Sequence, residues 1–212
     1  MLLTSLTSWA RFGLEYSNPP TRFEFNQGGT SRSFISSSST EYKLFYQYEA
    51  SGPWTWGASY FSHSTEISKS DSSYSFESTS FNATKISLYV ARGSKSGFFT
   101  QVGIDKTTTP YFYFEGSEIK SEDVERLDIF LKLGVYYKYA WGGGEISYKY
   151  TLLPSASVDG HDLSGTGTEV YFNIFFNKGQ NFGLYFNYTN EFVDGDYEHV
   201  ADSRSLGLIL RY

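Results

Sequence analysis

The chain has 212 residues, of which 20% are aromatic, and it carries 20 glycines, no cysteine and a formal net charge of −6 at pH 7. This length suits one domain, so residues 1–212 are predicted to form a single unit. The lack of cysteine excludes a disulfide framework and cysteine-based metal or redox chemistry, and the acidic balance argues against nucleic acid as a partner. The 19 tyrosines and 19 phenylalanines favour β-strands.

Ten segments of the chain alternate apolar residues with polar or small ones. This two-residue period is that of a strand with one apolar face and one polar face. In chain order the segments are 7–16, 41–50, 54–63, 81–91, 98–105, 127–139, 145–152, 169–176, 182–189 and 206–212. The mean hydropathy is only −0.37. No apolar run approaches the roughly 20 residues that a membrane-spanning helix requires.

The connections between these segments alternate strictly between short and long. The short ones have the glycine, proline and asparagine content of tight turns, and they are 51–53, 93–97, 141–144 and 177–180. The long ones are polar, and they are 17–40, 64–80, 106–125, 154–167 and 191–203. Within the first long connection, residues 21–27 and 30–36 are predicted to form a hairpin around Gly28 and Gly29.

The last segment places Leu206, Leu208, Leu210 and Tyr212 on one face of a strand that stops on the aromatic residue. Such a strand resembles the closing strand of a bacterial outer-membrane β-barrel. The recurring alternation and the asymmetry of the connections extend the resemblance to the small bacterial outer-membrane β-barrel superfamily over the whole chain. The resemblance implies an all-β fold, a single antiparallel up-and-down transmembrane barrel. It implies about ten strands, with eight or twelve as alternatives, short periplasmic turns and long extracellular loops.

The same resemblance implies a location in the bacterial outer membrane, in contact with the lipid bilayer and lipopolysaccharide. It also implies that the outer-membrane assembly machinery recognises the terminal Tyr212. Met1, Leu2 and Leu3 open neither the basic nor the apolar region of a signal peptide, so we expect a mature chain. The shared features belong to the superfamily as a whole and predict architecture rather than an activity.

The apolar face of the segments is predicted to contact lipid. It is nearly free of charge, and aromatic residues crowd both of its ends, as in the interfacial belts of membrane proteins. Beside the short turns lie Tyr48, Trp54, Trp56, Phe98, Tyr139, Phe182 and Tyr212, and toward the long loops lie Tyr16, Tyr42, Tyr60, Tyr150 and Tyr188. The alternative is a soluble lipocalin-like barrel, which leaves Phe45, Phe99 and Phe130 unexplained on a charged outer surface.

The opposite face is predicted to line the lumen, and it carries charges of both signs. The candidates are Arg11, Glu15, Lys43, Glu49, Lys85, Asp105, Asp128, Lys132, Lys138, Glu145, Lys149, Glu169 and Arg211. A barrel of about ten strands is only slightly wider than one that side chains fill, so opposite charges are expected to pair and plug the interior. The alternative is a narrow channel for ions or a small solute, although a selective anion pore favours a lumen of one sign.

Three histidines, His63, His161 and His199, are all expected near the outer rim. Omptin proteases, which the chain resembles in strand number, use Asp and His pairs there, and His161 with Asp159 and Asp162 fits that pattern. No matching acidic pair is evident in the second long loop.

A second enzyme hypothesis comes from the lipid A deacylases, which use a Ser, a His and a Glu. The candidate sets are Ser62, His63 and Ser64 with Glu66, and Glu198 and His199 with Ser203. Serine is so frequent here that such matches carry little information, and no catalytic residue is assigned. No zinc-ligand spacing and no phosphate-binding glycine loop occurs in the sequence, so neither a metal nor a cofactor is expected. The acidic residues Asp194, Asp196 and Glu198 are interpreted as solvated charge rather than a Ca²⁺ site.

Four consecutive aromatic residues, Tyr111, Phe112, Tyr113 and Phe114, lie in the third long connection. They predict either an extension of the fifth segment above the bilayer or an exposed apolar patch that binds an extracellular ligand. The leading hypothesis is therefore a non-enzymatic barrel with a filled or very narrow lumen, acting through its loops or as a structural component of the envelope. A narrow channel ranks second, and an outer-leaflet enzyme ranks third.

Overall fold

The computed structural model describes residues 9–212 except 28, 50–51, 68–74, 77–79, 94–96, 116–117, 159–160, 178 and 196. Almost all of the described chain is in strands. They are β1 (Trp9–Ser17), β2 (Thr21–Gln27), β3 (Thr30–Glu49), β4 (Trp54–Ile67), β5 (Ser75–Phe76), β6 (Ser80–Gly93), β7 (Gly97–Glu115), β8 (Glu118–Tyr139), β9 (Gly142–Val158), β10 (His161–Phe175), β11 (Phe182–Gly195) and β12 (Tyr197–Arg211). Among these residues no helix is long and apolar enough to cross a membrane.

The strands form a closed barrel with ten positions in its wall. Each long strand pairs antiparallel with its neighbours, and β1 pairs with both β3 and β12, which closes the sheet. Strand β2 also pairs with β3 and β12, so β1 and β2 share one position in the wall. The register against β12 is continuous, from Ser17 opposite Gly207 to Thr21 opposite Ser203. The prediction of ten strands in the barrel is therefore confirmed.

Prolines explain why β1 and β2 are separate strands. Pro19 and Pro20 lie between them, and proline has no N–H with which to continue a ladder of hydrogen bonds. Strand β5 lies outside this wall and makes a short parallel pairing with Glu118 and Ile119 of β8.

The long connections are themselves built largely of strand. Strands β3, β7 and β8 have 20, 19 and 22 residues. A tilted strand needs only about 9–11 residues to cross a bilayer, so these strands continue the barrel beyond the membrane on the side of the long connections. The predicted hairpin of 21–27 and 30–36 is present, and it is part of the barrel wall. Composition alone predicts loops in these serine-rich connections. Antiparallel neighbours instead supply hydrogen bonds to their backbone N–H and C=O groups, so they form strands.

The two faces of the wall are arranged as predicted. On β8, Leu131 is 42% exposed on the outer surface, whereas the adjacent Phe130 is 3% exposed inside. The same alternation places aliphatic and aromatic side chains outside on every long strand, and it buries charged residues such as Asp105 inside. A lipid-facing outer wall and a polar interior are therefore confirmed.

Glycines on the inner face allow aromatic rings to lie flat against the wall. A Cβ on Gly134 would stand 2.6 Å from the ring of Phe99, and one on Gly103 would stand 2.7 Å from the ring of Phe130. Pairs of this kind fill the lumen with aromatic surface and cover the backbone that glycine leaves bare.

One hairpin leaves the wall at the end with the long connections. The β6–β7 ladder ends at Thr84 opposite Thr108, and the β8–β9 ladder ends at Ile129 opposite Leu152. Between these points, residues 109–115 of β7 pair with residues 118–124 of β8, whereas residues 125–128 of β8 pair with residues 105–108 in the wall. Within the described chain, the only other ladder of residues 109–115 and 118–124 is the short one with β5. We call residues 109–115 and 118–124 the cap hairpin.

The cap hairpin bends over the mouth of the lumen. Phe112, which is 2% exposed, packs its ring 5.4 Å from that of Phe23 on β2, 6.0 Å from Phe34 on β3 and 4.8 Å from Phe81 on β6. Strand β2 lies on the far side of the barrel from β7, so these contacts cross the mouth. We call this set, with Ile67 and Ile119, the mouth cluster.

Candidate functional site: the barrel lumen

Ion pairs bridge the middle of the lumen around the ring of Tyr171. The Tyr171 hydroxyl donates a 2.6 Å hydrogen bond to Glu15 Oε1, and Lys43 Nζ lies 3.4 Å from Glu15 Oε2. Lys132 Nζ lies 2.7 Å from Glu145 Oε1. The two lysine Nζ atoms stand 5.5 Å (Lys43) and 5.0 Å (Lys132) from the centroid of the Tyr171 ring. Five strands, β1, β3, β8, β9 and β10, are thereby tied together across the interior.

A second buried pair lies nearer the mouth. Lys149 Nζ lies 2.6 Å from Asp105 Oδ2 and 4.1 Å from the centroid of the Phe130 ring. Lys149 stands opposite Glu169 in the β9–β10 ladder, but its ammonium group is turned away from that carboxylate toward Asp105. The ion-pair partner of Lys149 therefore lies on β7, a strand with which β9 does not pair, and not at the neighbouring position of the ladder.

Arg126 of β8 stands opposite Thr107, just below the cap hairpin, and contacts Tyr111 of the hairpin. Its Nη1 lies 2.8 Å from Glu191 Oε1 on β11, and its Nε lies 3.2 Å from Asp128 Oδ1. The Tyr111 hydroxyl, which also contacts Arg126, donates a 3.1 Å hydrogen bond to the same oxygen of Glu191. We call Tyr111, Arg126 and Glu191 the latch. The sequence pattern does not assign Arg126 to the inner or the outer face of the wall, because Arg126 directly precedes the sixth alternating segment.

His63 is inside the barrel, 7% exposed, rather than at the outer rim. Its Nδ1 lies 3.6 Å from Glu41 Oε2, and Thr21 Oγ1 lies 3.0 Å from its Nε2. A hydroxyl, an imidazole and a carboxylate in this order are those of a catalytic triad. However, Thr65 also contacts Nε2, and Ser205 donates to both oxygens of Glu41 at 3.1 Å. We interpret this network as a structural tie between β2, β3, β4 and β12.

The deacylase-like set around His63 is wrong, because its members do not meet. Ser64 and Glu66 are exposed and His63 is buried on the other face of β4. Glu66 accepts a 3.2 Å hydrogen bond from Ser38 on the outer surface. The other histidine-containing enzyme sets depend on residues outside the part of the chain whose side chains are described, namely Asp159, His161, Asp162, Glu198 and His199. The acidic residues Asp194 and Asp196, which a Ca²⁺ site would require, also lie outside it.

At the end of the lumen near the short turns, two arginines contact other lumen residues. Arg11 Nη2 lies 3.4 Å from Glu49 Oε1, and the guanidinium of Arg211 lies 4.2 Å from the centroid of the Phe175 ring. A cavity of about 80 Å³ lies here, and Lys138 lines it although its side chain is largely exposed at the rim. Tyr212, 81% exposed, pairs through its backbone with Phe12, and its role in assembly remains a prediction.

A larger cavity of about 200 Å³ occupies the lumen beneath the cap hairpin. Phe23, Phe81 and Pro110 line it toward the mouth. Most of the predicted lumen residues also line it, namely Glu15, Lys43, Lys85, Lys132, Glu145, Lys149, Glu169 and Arg211. Asp105 and Asp128 are buried beside it in the pairs given above. Within the described chain, no group of three or more His, Asp or Glu residues is arranged to hold a metal ion.

The predicted aromatic patch is not exposed as a unit. Tyr111 and Phe112 are each 2% exposed, in the latch and the mouth cluster, and Tyr113 packs against a second apolar cluster formed by Tyr111, Val124, Leu153 and Val193. The side chain of Phe114 lies outside the described part. The expectation of an exposed binding surface at Tyr111 and Phe112 is therefore wrong, because the hairpin folds into the mouth and covers both faces of the strand.

Comparison with solved structures gives the fold a context. The outer membrane protease OmpT from Escherichia coli aligns with 100% of this chain and 99% of its own, at a TM-score of 0.58 and 10% identity. The translocator domain of the autotransporter NalP from Neisseria meningitidis aligns with 99% of this chain and 91% of its own, at 0.52 and 11%. An outer membrane channel from Pseudomonas putida F1 aligns with 98% of this chain and 97% of its own, at 0.52 and 13%.

These likenesses show the fold, and they do not show an activity, since a protease, a translocator domain and a channel share it. No family model matches the sequence, and no curated protein matches it in sequence. The chain has the closed β-barrel fold of these outer-membrane proteins, and the outer wall of its barrel is apolar.

Proposed function

We propose that this outer-membrane barrel is a narrow channel for small solutes, and that the cap hairpin closes it in the conformation seen here. The observation that carries the proposal is a polar cavity of about 200 Å³ beneath a hairpin that has left the barrel wall. A lumen filled only for stability has no need of such a cavity, because unfilled polar space costs the packing and ion pairing that stabilise a core.

The ladder pattern allows the cap hairpin to move as one unit. Its two arms, residues 109–115 and 118–124, pair with each other, while residues 125–128 stay paired with residues 105–108 and β6 and β9 make their ladders with the lower parts of β7 and β8. An outward swing therefore leaves the hydrogen bonds between wall strands intact. It separates Tyr111 from the other two latch residues and Phe112 from the rest of the mouth cluster.

The interactions that hold the cap hairpin in place are weak enough for a small fraction of the molecules to be open. Burial of a phenylalanine side chain stabilises by about 1.5–3 kcal/mol. The hydrogen bond from the Tyr111 hydroxyl to Glu191 adds a smaller amount. A total of a few kcal/mol corresponds to a minor open population of about 0.1–10%, which single-channel recording detects.

A second candidate function is a permanently closed barrel that serves the envelope structurally. The ion pairs around Tyr171 favour it, because they bridge the lumen from five strands. In that case the cavity holds only water, and the cap hairpin stays fixed.

The test is conductance in planar bilayers of the full chain and of a variant with a shortened cap hairpin. Thr109 stands opposite Val124, so Asn-Gly in place of residues 110–123 closes the hairpin with a two-residue turn. The heat-modifiable gel shift of a folded barrel verifies each sample. We expect brief, rare openings from the full chain and sustained openings from the shortened one. A folded but silent shortened variant would contradict the channel and favour the closed barrel.

A further inference from the structure

Four charged residues that line the main cavity, Lys85, Glu169, Asp202 and Arg211, have no group of opposite charge within 4.0 Å among the described residues. Arg211 packs against the ring of Phe175, and Asp202 stands opposite Arg22 in the β12–β2 ladder. Every other lysine that lines this cavity has a carboxylate oxygen within 3.4 Å: Lys43 at Glu15, Lys132 at Glu145 and Lys149 at Asp105. Among the described residues, Lys85 has no carboxylate within 4.0 Å, and its Nζ lies 5.2 Å from the centroid of the Phe61 ring. Glu169 likewise accepts no hydrogen bond and joins no ion pair in the described chain.

The strand pairing explains why neither Lys85 nor Glu169 has an ion-pair partner. The ladder neighbours of Lys85 are Phe61 on β4 and Thr107 on β7, and neither carries a charge. Glu169 stands opposite Lys149, which binds Asp105 instead. Lys85 and Glu169 attract each other and the other cavity charges only at longer range, so water or a ligand in direct contact with both would stabilise them further.

Lys85 and Glu169 stand on nearly opposite walls of the same cavity. Three strands, β7, β8 and β9, separate β6 from β10 on one side of the barrel, and five wall positions separate them on the other. Both side chains line the cavity of about 200 Å³. A cavity needs about 10–15 Å³ by this measure for one water, so the space holds on the order of a dozen waters or a solute of roughly ten non-hydrogen atoms.

We propose that the cavity binds a small zwitterion that carries one ammonium group and one carboxylate. The carboxylate binds Lys85, the ammonium group binds Glu169, and the backbone of the solute spans the cavity beside Phe61. The inference deepens the proposed channel by naming the class of solute that it passes. It also explains why the lumen lacks the excess of one sign that favours an ion of the other.

The test is binding of a series of ω-amino acids to the refolded full chain in detergent micelles, measured by titration calorimetry. Glycine, β-alanine, 4-aminobutyrate and 6-aminohexanoate differ only in the distance between the two charges, so the series measures the span of the site. Butyrate and butylamine carry one charge each. We expect one member of the series to bind at least about tenfold more tightly than either single-charge analogue, because each loses one charge-assisted contact.

Lys85→Gln and Glu169→Gln are each expected to lower the affinity for that member at least about tenfold. The matched controls are Lys106→Gln and Glu125→Gln, which remove one charge each from an exposed pair on the outer wall, 3.0 Å apart. The controls are expected to bind normally. The double variant Lys85→Glu with Glu169→Lys restores both charges in exchanged positions, so it is expected to recover binding that the single variants lose.

The outcomes separate the solute from the channel. Equal affinity for the zwitterions and the single-charge analogues, or normal binding by folded Lys85→Gln and Glu169→Gln, overturns the zwitterion site. If the shortened hairpin conducts and no zwitterion binds, the channel stands and the solute class is wrong. If a zwitterion binds in micelles through both residues and every bilayer is silent, the site stands and the channel is wrong.

Discussion

The hydroxyl of Tyr171 on β10 donates a 2.6 Å hydrogen bond to the carboxylate of Glu15 on β1, across the lumen. Lys43 binds the other oxygen of the same carboxylate at 3.4 Å. This contact joins strands that are three positions apart in the wall, so it fixes the width of the barrel at its middle.

Removal of that hydroxyl tests how much the central network stabilises the barrel. Tyr171→Phe leaves Glu15 with one fewer donor in a buried position, so we expect the free energy of unfolding to fall by about 1–3 kcal/mol. Urea titration of the refolded protein, followed by the heat-modifiable gel shift, measures the change. The matched control is Tyr150→Phe, whose ring is 38% exposed on the lipid face. Equal losses in the two variants would show that the cross-lumen bond contributes nothing specific.

A glycine on the inner wall is expected to tolerate no larger residue. In Gly134→Ala the new Cβ stands 2.6 Å from the ring of Phe99 and 2.7 Å from the carbonyl oxygen of Ile146, so the ring and the strand must shift. We expect a loss of about 1–3 kcal/mol in the free energy of unfolding, as for overpacked cores. In Gly167→Ala the nearest atom, Thr151 Cβ, is 3.5 Å away, which is ordinary contact. The prediction fails if both variants unfold at the same urea concentration.

A charge on the outer wall is expected to be costly. Leu131 is 42% exposed on the lipid-facing side of β8, and Leu131→Arg should cost about 2–4 kcal/mol if it lies near the bilayer midplane. Lys106→Arg, on the outer wall near the mouth, is the control and should fold with unchanged stability. Normal insertion and stability of Leu131→Arg would overturn the assignment of the two faces.

The latch is expected to control how often the channel opens. Glu191→Gln removes the charge that accepts the hydrogen bond from the Tyr111 hydroxyl, while Arg126 keeps its contact with Asp128. Because the closed position loses stability and the wall does not, we expect more frequent openings of unchanged conductance. Glu125→Gln, on the exposed outer surface, is the control. An opening frequency equal to that of the unchanged chain would show that the latch does not hold the cap hairpin closed.

The wall of the barrel follows from local pattern, whereas the cap hairpin does not. Alternation over Leu127–Tyr139 predicts both the strand and its outward face, because one side of every wall strand meets lipid. In the cap hairpin the adjacent residues Tyr111 and Phe112 are both buried, because the hairpin lies in the mouth with protein on each face. A run of apolar residues without alternation is typical of a strand that is covered on both faces, and residues 111–114 have this pattern.

Pairing inside the lumen is the part that the sequence does not determine. The residues on the inner face can be read from the period, but their partners depend on the tilt of the strands, which brings residues of distant strands together. Lys149 illustrates the difference, since its ladder neighbour is Glu169 and its ion-pair partner is Asp105. For the same reason, no pattern in the sequence distinguishes Lys85 from the lysines that have partners.

The most direct test of the account is whether the cap hairpin occupies two positions in a bilayer. Because the chain has no cysteine, spin labels can be placed on Asp123→Cys in the exposed part of the hairpin and on Arg204→Cys in the wall, with Lys106→Cys and Arg204→Cys as a wall-only control. Pulsed electron resonance then measures the two distance distributions. The account predicts a minor longer distance for the hairpin pair, increased by Glu191→Gln, and a single distance for the control. One unchanged distance for the hairpin pair, with and without Glu191→Gln, would contradict it.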